Sequence, residues 1–201
     1  MSKDLYKKSY LFWIIFGVVI AVGILAGALY FYVSTTKSRE AEQHLVTTGA
    51  KALPPPEFKA YQANTTAKIN FDWDVKTLSG EQVLMSQFKD KVLFLHFWAS
   101  WCLPCHREMP LIQKLYDNIK DKVAFACISS ESVETINKFL SSRKYSFPIY
   151  KIEGTRPDKF KSLGNPATII INKEGHIVFE HSGAADWGHE ESIAYFNNLV
   201  K

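Results

Sequence analysis

Val92-Leu93-Phe94-Leu95-His96-Phe97-Trp98 runs directly into Ala99-Ser100-Trp101-Cys102-Leu103-Pro104-Cys105. The stretch up to Trp98 is a near-continuous apolar run, the pattern of a strand buried on both faces of a sheet. From Cys102 onward the period changes. Met109, Ile112, Leu115, Tyr116 and Ile119 recur at three- and four-residue spacing, as on one face of a helix. A buried strand therefore feeds a helix, and two cysteines one helical turn apart stand at the junction.

Working outward, residues 123–129 read as a second buried strand and residues 133–140 as a second helix. Residues 167–172 and 177–181 form a strand pair turned at Lys173-Glu174-Gly175, and an amphipathic helix closes the chain over 190–200. Before the apolar run, Ser79-Gly80 separates two short segments, 71–78 and 81–84, as a turn between hairpin strands would. Strands alternating with helices, followed by a hairpin and a closing helix, predict an α/β domain: a central mixed β-sheet, helices on both faces and an N-terminal β-hairpin extension.

The N-terminal region sets the expected compartment. Residues 11–33 contain no charge, and at about 1.5 Å per residue such a helix covers the roughly 30 Å hydrocarbon core of a bilayer. The run exceeds the apolar stretch of a cleavable signal peptide, and Ser34-Thr35-Thr36-Lys37 is a poor cleavage site. A single transmembrane signal anchor is expected. Lys3, Lys7 and Lys8 precede it against Asp4, whereas Lys37 and Arg39 are balanced by Glu40 and Glu42, so the positive-inside bias places residues 1–10 in the cytoplasm. Residues 34–68, with Pro54-Pro55-Pro56, read as an extracytoplasmic linker in extended geometry. A flexible coil of that length would let the folded domain, residues 69–201, range on the order of 30 Å from the bilayer.

The chain has 201 residues and a formal charge of +4, of which Lys3, Lys7, Lys8, Lys37 and Arg39 against Asp4 and Glu40 account for +3. The remainder is nearly neutral and lacks the basic field on which nucleic-acid affinity depends, so no nucleic-acid partner is expected. Three cysteines are too few for a stapled scaffold.

A cysteine at a helix N-terminus meets unpaired N–H groups and the positive end of the macrodipole. Thiols so placed have pKa values lowered from about 8.5 into a range of roughly 3.5–7.5, and the thiolate is the nucleophile of disulfide exchange. Cys102 is read as the attacking thiol. Cys105 can then attack the resulting mixed disulfide and release the substrate. With His106 the same residues spell CxxCH, the haem c attachment motif. Its position capping a buried strand, the rigid Pro104 and the flanking tryptophans favour the redox reading. A zinc site needs about four ligands, and no second cluster accompanies this pair. No cofactor or metal is expected.

The stretch Phe97-Trp98-Ala99-Ser100-Trp101-Cys102-Leu103-Pro104-Cys105 resembles the active-site segment of thioredoxins. Glu108-Met109-Pro110 and the apolar N-terminal run narrow the resemblance to the membrane-anchored TlpA/ResA-like thiol–disulfide oxidoreductases, over about residues 69–200. It implies a thioredoxin-like fold, a redox-active disulfide between Cys102 and Cys105, and a helix-kinking proline at Pro110. Gly164-Asn165-Pro166-Ala167-Thr168 resembles the family's cis-proline loop, which implies that Asn165, Pro166 and Ala167 hold an extended substrate backbone, with Trp101 and Pro104 beside them. It also implies a functional acid at Glu108. Protein disulfides, for example in apocytochrome c or other exported proteins, are the implied substrates, a membrane thiol shuttle the implied reductant, and reduction the favoured direction.

Two positions carry alternatives. Glu108 lies three residues after Cys105 on the same helix face, where it could tune or relay protons to the thiols, or simply complement the helix dipole. His96 stands where thioredoxins carry an aspartate; it is either a proton carrier or a satisfied core histidine. Cys127, between Ala126 and Ile128, reads as a small buried hydrophobe, and Trp98 and Trp101 as packing that frames the site. At the level of function, the rivals to an oxidoreductase are a non-catalytic thioredoxin-like module that tethers a partner at the membrane and, more remotely, a peroxidase of related fold.

Overall fold

The computed structural model describes residues 20, 23–32, 52–58 and 68–201. Its elements follow in chain order: β1 (Asp74–Thr77), β2 (Gln82–Leu84), β3 (Leu93–Phe97), α1 (Leu103–Ile119), β4 (Ala124–Ser129), α2 (Val133–Leu140), β5 (Ile149–Lys151), β6 (Ala167–Ile171), β7 (Ile177–Ser182) and α3 (Glu190–Leu199). The strands form one mixed seven-stranded sheet in the order β2-β1-β5-β4-β3-β6-β7. β3, the apolar run of the sequence, is an interior strand, parallel to β4 and antiparallel to β6, and every residue of it is buried. The expected hairpin is present as β1 and β2, with Asp74 opposite Leu84.

One strand was not legible in the sequence. β5 has three half-buried residues, too few to show alternation, yet it pairs parallel to β4 and antiparallel to β1 and so joins the hairpin to the central sheet.

Side chains alternate across β3. Phe94 and Trp98 join Phe125, Cys127 and Ile170 on one face, packed against Met109, Ile112 and Leu115 of α1, Ile136 and Phe139 of α2 and Phe196 of α3. Leu93, Leu95 and Phe97 point to the other face, with Ala126, Ile128, Ile169 and Ile171. The expectation of helices on both faces is corrected here: no α-helical residue joins this second cluster. Short 3₁₀ turns at Met85–Phe88 and Asp158–Phe160 cover it, together with Ile69, Phe71 and Ile152. Gly154, at φ +72°, and Pro157 break the chain on the approach to Asp158–Phe160, which leaves room for a single turn.

Contacts divide the chain into two units, Met1–Lys51 and Ala52–Lys201. Residues 52–58, counted above with the linker, belong to the folded unit. Asp186 N–H donates to Pro54 O at 2.8 Å, and the Phe58 ring stacks on Tyr195 at 4.1 Å and tilts against Phe179 at 4.7 Å. Lys68 bridges to His176. The rest of the expected linker lies outside the described residues.

In the first unit residues 20 and 23–32 are helical, with Ile24, Leu25 and Leu29 exposed. Among the described residues no helix is long and apolar enough to cross a membrane. Most of the expected span over 11–33, and all of residues 1–10, lie outside the described residues.

Candidate active site at the junction of β3 and α1

The loop leaving β3 delivers Cys102 to the N-cap of α1, where Leu103 and Pro104 form the first turn. Pro104 suits that position because its missing N–H would have no partner there and its φ is already helical. Cys105 N–H donates to Cys102 Sγ at 3.2 Å, so the helix N-terminus is aimed at the sulfur. Cys102 and Cys105 are joined in a disulfide. Cys102 is 3% exposed and Cys105 fully buried, while Trp101 and Leu103 beside them are 71% and 72% exposed. A nearly buried disulfide is thus ringed by open apolar side chains. Of the two tryptophans expected to pack, only Trp98 does, fully buried against Phe139.

Ser100 holds the loop in place. Its N–H and hydroxyl both donate to the Glu131 carboxylate at 2.6 Å, its carbonyl lies 2.6 Å from His106 Nε2, and Ser129 Oγ adds a 3.1 Å bond to Glu131. His106 Nε2, the atom a CxxCH haem site would give to iron, is turned instead into the loop. Neither Ser100 nor Glu131 stood out in the sequence, since a serine and a glutamate 31 positions apart form no local motif.

Glu108 does not complement the helix dipole as an ionised surface acid would. It is fully buried one turn beyond Cys105, accepting from Trp187 Nε1 at 3.1 Å and more loosely from Ala185 N–H at 3.4 Å through Oε2. Its other oxygen lies 3.4 Å from His96 Nε2. Burial pushes the Glu108 carboxyl up to about 8, against the opposing effect of those two donors. Burial, together with the positive charge of Arg156, pushes His96 down to about 3. Both side chains are therefore neutral near pH 7, and the contact is not an ion pair. His96 Nδ1 lies 2.9 Å from Thr168 Oγ1. With Nδ1–H donating to that hydroxyl, His96 Nε2 is left as an acceptor facing the protonated Glu108 oxygen, and neither of these two atoms has another partner among the described residues.

β6 carries the second half of the site. The Asn165–Pro166 bond is cis, as the family resemblance implied. Ala167 pairs with Phe97 on β3 and with Ser182 on β7, so it is enclosed within the sheet and cannot hold a substrate strand as expected. Pro166 is buried and its carbonyl accepts from Gly183 N–H at 2.9 Å. Asn165 is half-buried, and among the described residues its main chain makes no hydrogen bond. The free backbone edge is therefore at Asn165. Cys127 is a buried free cysteine on β4, opposite His96; burial, with Glu108 nearby, pushes its thiol well above the ordinary range.

A redox disulfide capping a helix behind a buried strand, with a cis-proline loop on the adjoining strand, defines a thiol–disulfide oxidoreductase of thioredoxin-like fold. The chain belongs to the AhpC/TSA family, whose model matches residues 66–180. It is 33% identical over 130 residues to the thiol-disulfide oxidoreductase ResA of Halalkalibacterium halodurans, covering 63% of this chain and 72% of that one. It is 35% identical over 117 residues to the thioredoxin-like protein YneN of Bacillus subtilis, covering 56% and 68%. The fold is shared with a secreted Mycobacterium tuberculosis disulfide oxidoreductase homologous to E. coli DsbE, at a TM-score of 0.56 and 21% identity, covering 64% of this chain and 97% of that one.

Proposed function

We propose that this protein is a membrane-tethered, extracytoplasmic reductase of protein disulfides, with Cys102 as the attacking and Cys105 as the resolving thiol. The observation that carries the assignment of roles is the aim of the α1 N-terminus: Cys105 N–H points at Cys102 Sγ, so negative charge is favoured on Cys102.

In the reduced protein the Cys102 thiolate attacks one sulfur of a target disulfide. A Cys102–target bond forms, the target S–S bond breaks, and the other target sulfur leaves as a thiolate that takes up a proton. Cys105 then loses its proton and attacks Cys102 Sγ, expelling the second target thiol. The target gains two electrons and two protons, and the protein is left with the Cys102–Cys105 disulfide, which a membrane thiol shuttle reduces again.

Glu108, one turn along the same buried helix face, is the group closest in kind to a proton carrier for Cys105. His96 Nε2 behind it faces that carboxyl as an acceptor, so the pair holds one mobile proton away from solvent. The substrate backbone pairs with the free edge at Asn165, beside Pro166, while exposed Trp101, Leu103 and Pro104 cover its side chains.

The local charge supports the reducing direction. The residues between the cysteines are uncharged, and among the described residues the donor to Cys102 Sγ is the neutral backbone N–H of Cys105, with no charged donor beside it. A couple becomes strongly oxidising when its reduced form is specially stabilised, and this site lacks added charge for that. The tether and its orientation rest on the charge-free run at 11–33, on Lys3, Lys7 and Lys8 before it, and on the exposed apolar residues of its helical part.

Replacing the resolving thiol tests this directly. Cys105→Ser should halt at the mixed disulfide and accumulate a covalent, dithiothreitol-sensitive adduct through Cys102 when offered a disulfide-bonded peptide. Absence of the adduct, or one formed through Cys105 in Cys102→Ser, would overturn the assignment.

A further inference from the structure

We propose that Arg156 is a positioning residue for substrate: it holds the three residues before Pro166 so that the Asn165 main chain is presented as a pairing edge. This rests on the reading above that the Pro166 loop receives an extended substrate backbone.

Arg156 lies in the loop between β5 and β6, far in sequence from the cysteines and outside every motif of the chain. Its guanidinium is half-buried with its centre 4.3 Å from the Phe97 ring, the β3 residue that pairs with Ala167. From that platform one terminal nitrogen donates to Leu163 O at 2.9 Å and Gly164 O at 3.2 Å. The other donates to Asn165 Oδ1. One planar fork thus gathers acceptors from three successive residues, a task that suits guanidinium and not ammonium.

The consequence is a division of labour within Asn165. Its side-chain oxygen is committed inward to Arg156, and its main-chain N–H and C=O are left without a partner among the described residues. Downstream, Pro166 O is fixed by Gly183 N–H and Ala167 is locked between β3 and β7. The segment is held on both sides of a single open backbone edge. Preorganising that edge lowers the ordering cost of adding a strand to it. A disulfide with no peptide backbone has nothing to pair there and should not sense this role of Arg156.

The test compares two substrates of the full chain in detergent: a linear peptide homodimer joined by one disulfide, and hydroxyethyl disulfide, which has no backbone. Arg156→Gln should raise KM for the peptide by about tenfold, beyond any loss on hydroxyethyl disulfide, which reports whatever the removed charge does through His96. Arg156→Lys, which keeps the charge and most of the volume, should recover only part of that loss. Unchanged peptide KM in both variants, or equal losses on the two substrates, would overturn the inference. Pro166→Ala separates it from the reading beneath it. A raised peptide KM in Pro166→Ala with none in the Arg156 variants refutes the role of Arg156 alone; no change in Pro166→Ala refutes the substrate-holding loop itself.

Discussion

His96 Nε2 stands 3.4 Å from Glu108 Oε1, with both side chains at zero exposure between the central strand and the active-site helix. Two titratable groups in an apolar layer are costly if charged, and the pair avoids that cost by staying neutral. Burial raises the glutamate and lowers the histidine, so one proton is retained between them across the physiological range.

That arrangement predicts the shape of stability against pH. Glu108 is raised from 4.5 to about 8, so the folded protein keeps a proton that the unfolded chain has released, and stability falls as pH rises through that window. His96 is lowered from 6.5 to about 3, so its contribution is complete above 6.5 and is lost as pH falls toward 3. Between 4.5 and 6.5 the two slopes oppose each other. Urea midpoints at closely spaced pH values should show a plateau there, with a decline on either side. Glu108→Gln should flatten the alkaline decline, and an unchanged decline would show that Glu108 is ionised in the fold.

The same carboxyl should register in catalysis. In Glu108→Gln the alkylation rates of Cys102 and Cys105, followed against pH, should shift their midpoints, and peptide reduction should fall by roughly a hundredfold, the low end for a lost proton carrier. Gln retains an oxygen for Trp187 Nε1, so the packing around Trp187 is preserved. Unchanged thiol titration would reduce Glu108 to a packing residue. If His96→Asn also left the pH profile unchanged, His96 would be a core residue only.

Glu131 is expected to matter through Ser100. Glu131→Gln places an amide among the N–H and hydroxyl donors of Ser100 and the Ser129 hydroxyl. The loss should be about 1–2 kcal/mol in chemical denaturation, as for a part-buried charge-assisted network. Peptide reduction should slow with it, because Trp101 and Cys102 follow directly in the chain. Wild-type stability in this variant would mean that water replaces the carboxylate without cost.

Residues 52–58 should contribute to folding. Phe58→Ala removes a ring stacked on Tyr195 and should cost about 1–2 kcal/mol. A fragment beginning at residue 52 should therefore have a higher urea midpoint than one beginning at residue 68. Equal midpoints would return this segment to the linker.

How far the sequence could be read follows from the range of each interaction. The β3–α1 junction, the β1–β2 hairpin, the β6–β7 pair and the three α-helices of the folded unit are periodic over enough residues to show themselves, and the cysteine spacing marked the site. β5 could not be seen in three residues without alternation. Pro54-Pro55-Pro56 has the same extended geometry whether docked or free, so the packing of Phe58 behind it was hidden. The partners of Glu108 lie 77 and 79 positions away at Ala185 and Trp187, and those of Arg156 gather only once the loop before Pro166 has folded. Such contacts are products of topology, and no local spacing announces them.

The most direct measurement is the equilibrium reduction potential of the Cys102–Cys105 couple in the full chain, set by defined dithiothreitol ratios and read by alkylation and mass. A protein-disulfide reductase requires a reversible two-electron couple near the thioredoxin end of the range, about −270 mV. A value near the oxidising end, about −120 mV, or no reversible couple at all, would contradict it.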